Sequence, residues 1–209
     1  MRKNYGLSHL EKSEMQANPF DEFKIWFDHA VDAGILEPNA MSLATVSAEN
    51  GQPSLRIVLL KNFDTRGFVF FTNYESRKGQ ELTALPKAAL NFFWASLEQQ
   101  IRIEGEVEMI DEEESEAYFY SRNRESKIGA WASPQSQIIE DRKALEDKIA
   151  HFEYMFEKVA AIPLPSHWGG YRVIPHRIEF WQGRSNRLHD RIVYVKQADN
   201  SWEMKRLAP

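Results

Sequence analysis

The sequence has no cysteine among its 209 residues. That absence excludes disulfide bonds, thiol nucleophiles, iron–sulfur clusters and cysteine-ligated zinc. The six histidines are scattered along the chain and do not pair at the spacing of metal ligands, so we expect no metal site. The sequence motifs of P-loop, dinucleotide-binding, zinc-protease and serine-hydrolase sites are missing as well.

Long apolar runs and a strong excess of either charge are also missing. The longest apolar runs, at residues 57–60 and 68–71, are far too short to span a bilayer, and residues 1–6 lead into polar sequence rather than a signal peptide. A formal net charge of -5 argues against a general nucleic-acid binder. We therefore expect a cytoplasmic protein with no membrane or nucleic-acid partner.

The chain is instead rich in hairpin patterns. We expect a mobile arm over residues 1–17 and a single domain over 18–209. Hydrophobic periodicity and turn residues predict strands at 41–48, 53–61, 67–73, 88–96, 99–110, 168–174, 177–182, 191–197 and 202–206. Helices are predicted at 19–33, 75–85 and 139–158, with another that begins near Asp111. Because no βαβ alternation occurs, we expect a mainly β (α+β) fold, an antiparallel barrel with peripheral helices.

Two segments place cations where stability alone would not put them. Arg56 and Lys61 flank an apolar strand, and either one of them faces the inside of a barrel or both are solvated at a sheet edge. Arg77 and Lys78 open a short helix after Ser76, where cations oppose the helix dipole. Together with backbone N–H groups they could bind an anion, and an exposed basic turn is the alternative.

A third segment carries donors at helical spacing. Tyr118, Arg122 and Ser126 are spaced i, i+4, i+8. On one continuous helix they would share a face and offer three donors to one phosphate. A solvated helix face is the alternative.

The densest polar cluster follows a strand that contains Trp181. Arg187, His189 and Arg191 occupy alternate positions and would project to one side of an extended segment. Cations that converge in this way repel one another unless an anion or an electron-rich ring lies between them. A basic surface strand, paired by Asp190 and nearby carboxylates, is the alternative.

Taken together, these segments resemble the pyridoxamine 5'-phosphate oxidase family, the FMN-dependent enzymes that make pyridoxal 5'-phosphate. The resemblance covers essentially the whole chain and is carried by residues 56–61 (RIVLLK), 71–78, 118–131, 165–170 (PSHWGG), 178–191 and 206–209 (RLAP). It implies an FMN-binding split barrel of antiparallel strands that works as a homodimer with FMN at the subunit interface.

The resemblance also implies site residues by position. The FMN site would comprise Arg56, Ile57, Lys61, Phe71, Thr72, Arg77, Lys78, Gln100, Gln135, Ser136, Trp181 and Arg191. The substrate site would comprise Arg2, Tyr5, Lys61, Tyr118, Arg122, Ser126, Arg187 and His189. Arg77 and Lys78 would hold the FMN phosphate, and Arg187 and His189 would be the catalytic residues beside the substrate ring. Two positions depart from the family pattern: Phe71 replaces a common tyrosine and Asn123 a common proline.

The implied reaction oxidises pyridoxamine 5'-phosphate or pyridoxine 5'-phosphate to pyridoxal 5'-phosphate with O2, and releases hydrogen peroxide and, from the amine, ammonia. Two other functions are compatible with the same features. One is a related FMN oxidase with another small substrate, as in phenazine biosynthesis, and the other is a flavin-binding protein without catalytic activity. Tyr118, Arg122 and Ser126 favour a phosphorylated substrate.

Overall fold

The computed structural model describes residues 5–209. The helices are α1 Pro19–Asp32, α2 Arg77–Ala84, α3 Glu112–Ser121, α4 Arg124–Ala132 and α5 Arg142–Met155. The strands are β1 Ala40–Val46, β2 Pro53–Leu59, β3 Asn62–Asp64, β4 Gly67–Asn73, β5 Lys87–Trp94, β6 Gln99–Met109, β7 Trp168–Gln182, β8 Asp190–Lys196 and β9 Trp202–Leu207. Within residues 5–209, no helix has the length and apolar character needed to cross a membrane.

One antiparallel sheet organises the described part of the chain. Its strand order is β2-β1-β5-β6-β7-β4-β3. Outside this order, β8 pairs with β7, and β9 pairs with β8. All of its strand pairs are antiparallel, as the hairpin pattern predicted. The short β3 was not predicted, because three residues are too few to show an alternating pattern.

The long strand β7 is the axis of the fold. One of its edges pairs with β6, and the other pairs first with β4 and then with β8. The change of partner occurs near Pro175, opposite a register shift between Glu104 and Gly105. The sequence patterns predicted two separate strands here, at 168–174 and 177–182. That prediction was wrong, because both halves continue the same ladder with β6.

Helix α1 fills the concave side of the sheet. Its Phe23 is fully buried, with ring centroids 4.9 Å from Phe68 and 5.2 Å from Phe92. Trp26 packs edge-on against Phe180 at 5.1 Å. Burying such aromatic side chains contributes about 1.5–3 kcal/mol each, so this helix stabilises the sheet by packing against β4, β5 and β7.

The helical region between β6 and β7 differs from its prediction. The expected continuous helix through Tyr118, Arg122 and Ser126 is broken, because Arg122 has extended backbone and Asn123 caps a new helix by accepting a hydrogen bond from the Ser126 backbone N–H at 2.9 Å. The helix predicted at 139–158 is shorter, Arg142–Met155, and contains no buried residue.

Candidate active site

A cavity of about 1050 Å³ lies between strands β2 and β4 and helices α2, α3 and α4. Twelve of the predicted site residues line it: Arg56, Ile57, Lys61, Phe71, Thr72, Arg77, Lys78, Tyr118, Arg122, Ser126, Gln135 and Ser136. Arg56 and Lys61 both face this cavity. Because β2 ends at Leu59, Lys61 lies beyond the strand, and the alternation of side chains along a strand does not decide how the two cations face.

The first turn of α2 lies at one side of the cavity. Ser76 caps the helix and accepts a hydrogen bond from the backbone N–H of Gly79. A Cβ atom at Gly79 would lie 2.1 Å from the carbonyl oxygen of Tyr74, so only glycine allows this close approach. The short helix was predicted, and its N-terminus brings Arg77 and Lys78 to the cavity wall.

Lys78 is the buried cation of this site. Its Nζ donates to Thr72 Oγ1 and Gln135 Oε1, both at 3.0 Å, and to Ser76 Oγ at 3.2 Å. Burial, reinforced by repulsion from Arg56, lowers the pKa of Lys78 to about 8. Three neutral oxygens therefore hold a lysine that no described carboxylate pairs, which suits a site for an anion.

An aromatic stack forms another wall of the cavity. The Phe71 ring packs against both Tyr118 and Trp168, with ring centroids 4.0 Å and 5.3 Å away, and those two rings lie 6.2 Å from each other. Arg122 lies over the Trp168 ring at 4.8 Å, and burial lowers the pKa of its guanidinium. Its Nη1 is buried and has no hydrogen-bond partner among residues 5–209. A guanidinium held in this way is ready to receive an acceptor from a ligand.

The remaining predicted residues form a second cluster at the far end of β7. Trp181 pairs in register with Gln100 on β6 and with Arg191 on β8. The His189 ring lies 4.6 Å from Trp181, and its Nδ1 accepts a hydrogen bond from the backbone N–H of Arg184 at 3.1 Å. In the neutral imidazole the proton is therefore on Nε2.

Two cations of this second cluster are not arranged as predicted. Arg191 is bound bidentately by the buried carboxylate of Glu179, at 2.8 Å and 3.1 Å, and this hydrogen bonding raises its pKa. Arg187 lies in a 3-10 turn with φ of 64°, so it does not continue an extended strand. The expectation that Arg187, His189 and Arg191 project from one extended segment was wrong, because the turn at 185–187 precedes β8.

The N-terminal segment covers this second cluster. The Tyr5 ring lies edge-on to Trp181 at 5.9 Å and 5.8 Å from His189. The carboxylate of Glu98 accepts hydrogen bonds from the backbone N–H of Gly6 at 2.7 Å and of Leu7 at 3.2 Å. Arg2, the other predicted residue of this segment, lies outside the described residues.

The two clusters are separated along β7. Trp168, at the start of the strand, lines the cavity, whereas Trp181 belongs to the second cluster. At about 3.3 Å per residue, the thirteen steps between them correspond to roughly 40 Å of strand. A single chain therefore does not bring all the predicted site residues together.

Two residues that support the cations of the cavity were not predicted as site residues. Trp168 supports Arg122, and its place in the PSHWGG segment was the available signal. Glu81 binds both Arg56 and Arg77 from behind the cavity. Its position four residues after Arg77 was a usable signal for an ion pair along a helix.

Comparison with known proteins shows which family the chain belongs to. Residues 27–156 match the family model described as pyridoxamine 5'-phosphate oxidase. Residues 168–209 match the model of the pyridoxine 5'-phosphate oxidase C-terminal dimerisation region. The chain belongs to the pyridoxamine 5'-phosphate oxidase family.

Full-length relatives support this membership. The pyridoxine/pyridoxamine 5'-phosphate oxidase of Trichormus variabilis is 57% identical over 100% of this chain and 97% of its own length. The enzyme of the same name from a Synechocystis species is 56% identical over 100% of this chain and 96% of its own. The chain is therefore similar along its whole length to curated members of the oxidase family.

Solved structures extend the comparison to the fold. PhzG from Burkholderia lata 383, solved in complex with tetrahydrophenazine-1-carboxylic acid, superposes with a TM-score of 0.88 at 33% identity over 96% of this chain and 98% of its own. A pyridoxamine 5'-phosphate oxidase-related, FMN-binding protein from Nostoc punctiforme gives a TM-score of 0.72 at 18% identity, over 93% and 100%. The predicted antiparallel split barrel of this oxidase family is confirmed.

Proposed function

We propose that this protein is an FMN-dependent oxidase that converts pyridoxamine 5'-phosphate or pyridoxine 5'-phosphate to pyridoxal 5'-phosphate. O2 would be the electron acceptor, with hydrogen peroxide as product and ammonia released from the amine. The observation that carries the proposal is the cavity in which two sets of cations, Arg77 with Lys78 and Lys61 with Arg122, lie on different elements. Two phosphorylated ligands, a cofactor and a substrate, account for two sets.

The described residues fit FMN at the first of these sets. The phosphate of FMN would lie at the first turn of α2, where Arg77, Lys78 and backbone N–H groups offer donors. The Lys78 ammonium, which is held by Thr72, Gln135 and Ser76, would place its positive charge beside the phosphate. When bound, FMN would supply the two-electron acceptor that O2 reoxidises.

The second set suits the phosphate of the substrate. Arg122 has an unpartnered, buried Nη1, and the Tyr118 hydroxyl, Lys61 and Ser126 line the same cavity. These groups would fix one end of the vitamer and so orient its ring and the carbon to be oxidised. Water would be excluded by the aromatic wall of Phe71, Tyr118 and Trp168.

The second cluster would complete the site in a homodimer. The β2 edge strand beside the cavity exposes Leu55 and Ile57 at 68% and 64%, which is an apolar edge suited to contact with another copy. We propose that Arg187 and His189 of one copy reach the cavity of the other, together with Gln100, Trp181 and Arg191. Arg187 would then orient the substrate ring and assist proton removal, and His189 would present its Nε2–H. The cytoplasmic location expected from the sequence stays a prediction.

The decisive experiment uses the purified protein loaded with FMN. We expect pyridoxamine 5'-phosphate to bleach the flavin absorbance without oxygen, and to give pyridoxal 5'-phosphate and peroxide in equal amounts in air. Pyridoxamine without its phosphate serves as the control and should react far more slowly. Bound flavin that neither phosphorylated vitamer bleaches would favour a non-catalytic flavin-binding protein. Turnover that does not depend on a substrate phosphate would favour a phenazine-type oxidase.

A further inference from the structure

Two of the cations at the α2 side of the cavity, Arg56 and Arg77, meet at one buried carboxylate, that of Glu81. Glu81 is 6% exposed and lies behind the cavity wall rather than in it. One of its oxygens, Oε1, accepts from Arg77 Nε at 2.9 Å. The other, Oε2, accepts from Thr45 and Ser54 hydroxyls at 2.5 Å and 2.6 Å and lies 3.4 Å from Arg56 Nη2. Both oxygens are therefore occupied, each by at least one guanidinium.

The Glu81 carboxylate stays ionised in this arrangement. Burial by itself would raise its pKa, but hydrogen bonds from Ser54, Thr45 and Arg77 outweigh burial and lower the pKa to about 2. A fixed negative charge therefore lies between two fixed positive charges at any pH near neutrality. It offsets part of the repulsion that Arg56, Arg77 and Lys78 would otherwise exert on one another.

The Arg77 guanidinium is held by only one of its nitrogens. Glu81 takes the Nε, and the described residues provide no other hydrogen-bond acceptor for this side chain, which is 57% exposed. The two terminal nitrogens thus remain available on the cavity side. Arg56 is fixed more completely, since its Nη1 also donates to the Leu43 carbonyl at 3.2 Å.

We propose that Glu81 is a positioning residue for the cofactor phosphate. It would orient Arg77 toward the phosphate and anchor Arg56 beside it without touching the ligand. The proposal rests on the proposed function, because it assumes that this side of the cavity receives the phosphate of FMN. It adds a residue that acts through others and that the resemblance did not include.

The chemistry of the four partners explains why a carboxylate is needed here. The Thr45 and Ser54 hydroxyls can donate or accept, but the two guanidiniums can only donate. A glutamine at position 81 would have to direct its NH2 group toward Arg56 or toward Arg77. Either choice places donor against donor and releases one guanidinium from its position.

The test compares the affinities of the apoprotein for FMN and for riboflavin, which lacks the phosphate. We expect E81Q to weaken FMN binding by about ten-fold, as the loss of one charge-assisted hydrogen bond would do. Riboflavin binding should stay unchanged, and so should kcat when the variant is saturated with FMN. The matched control is E146Q, which removes the exposed Arg142–Glu146 pair of the same i,i+4 type at 3.0 Å and should alter neither affinity.

Different outcomes would contradict the positioning role of Glu81 and the proposed place of the FMN phosphate. Equal losses of FMN and riboflavin affinity in E81Q, or no loss of either, would overturn the positioning role. A wild-type protein that binds riboflavin as tightly as FMN would instead overturn the phosphate assignment of the proposed function. If E81Q does not fold, E81D keeps the charge but shortens the reach, and should still weaken FMN binding selectively. Wild-type FMN affinity in E81D would contradict the proposal.

Discussion

At the scale of single residues, we expect Lys78 to make cofactor binding sensitive to pH. Its pKa in the free protein is lowered to about 8, so half of the side chains are in the ammonium form at that pH and nearly all of them about one pH unit lower. A bound phosphate would favour the ammonium form and raise the pKa, so binding takes up a proton above pH 8. The affinity for FMN should therefore be highest near pH 7 and fall progressively as the pH rises through about 8.

Titration of the apoprotein with FMN between pH 7 and 9.5, followed by the quenching of flavin fluorescence, checks this prediction. The variant K78R remains charged throughout this range and should lose the pH dependence, although its affinity at pH 7 is lower. A wild-type affinity that does not change up to pH 9.5 would mean that the Lys78 ammonium makes no contact with the phosphate.

For Arg122 we expect stability and substrate binding to make opposite demands. Its buried Nη1 lacks a partner among the described residues, and an unsatisfied buried donor destabilises a fold by about 1–3 kcal/mol. The variant R122M should therefore unfold at the same temperature as the wild type or a few degrees higher, because roughly 1 kcal/mol corresponds to about 2–4 °C at this chain length. Its KM for pyridoxamine 5'-phosphate should rise by more than about ten-fold, the equivalent of one lost ionic hydrogen bond.

Thermal unfolding without ligands and steady-state kinetics together check the Arg122 prediction. R124M is the comparison, because Arg124 also bears a guanidinium but donates to the carbonyls of Phe156 and Val159. This second variant should unfold at a lower temperature and keep its KM. Loss of stability in R122M equal to that in R124M would show that Arg122 is a structural residue.

At the scale of elements, the break between α3 and α4 depends on one cap. Asn123 accepts a hydrogen bond from the Ser126 backbone N–H at 2.9 Å, and this side-chain contact starts α4 beside the cavity. N123A should lower the free energy of unfolding by about 1 kcal/mol, as the loss of an N-cap residue does. Urea denaturation measures the change.

The control is N123D, which retains an acceptor at the cap and should unfold like the wild type. If both variants lose the same free energy of unfolding, Asn123 does not act as the cap.

The same break shows where local sequence patterns stop being informative. The spacing of Tyr118, Arg122 and Ser126 predicted one helix, yet a cap signal at Asn123 outweighs the spacing because it satisfies a backbone N–H directly. The three side chains still line one cavity, although the helix that was supposed to align them is not continuous. Strand β7 differs for another reason: two strands were predicted at 168–174 and 177–182, but the pairing with β6 that joins them past Pro175 is non-local.

At the scale of the whole molecule, the positions of the two clusters could not be derived from spacing along the chain. A net charge of -5 conceals separate basic groups, and the segments that carry them were recognisable in the sequence. The sequence patterns did not show where these groups lie. One group lines a cavity at the start of β7, and the other lies at the end of β7. The family resemblance implied a shared interface, and the separation of the clusters within one chain is the physical reason to expect one.

A complementation experiment tests whether two copies share each site. We expect R122A, altered in the cavity, and R187A, altered in the exposed turn at the second cluster, to be nearly inactive as separate proteins. In a twofold dimer, a hybrid of the two carries both substitutions in one site and none in the other. Purified through different affinity tags, the hybrid should recover about half of the wild-type activity per dimer. A hybrid of R122A with K61A, both altered in the cavity, has no intact site and should recover none. If the first hybrid is as inactive as its parents, Arg187 does not complete the cavity of another copy.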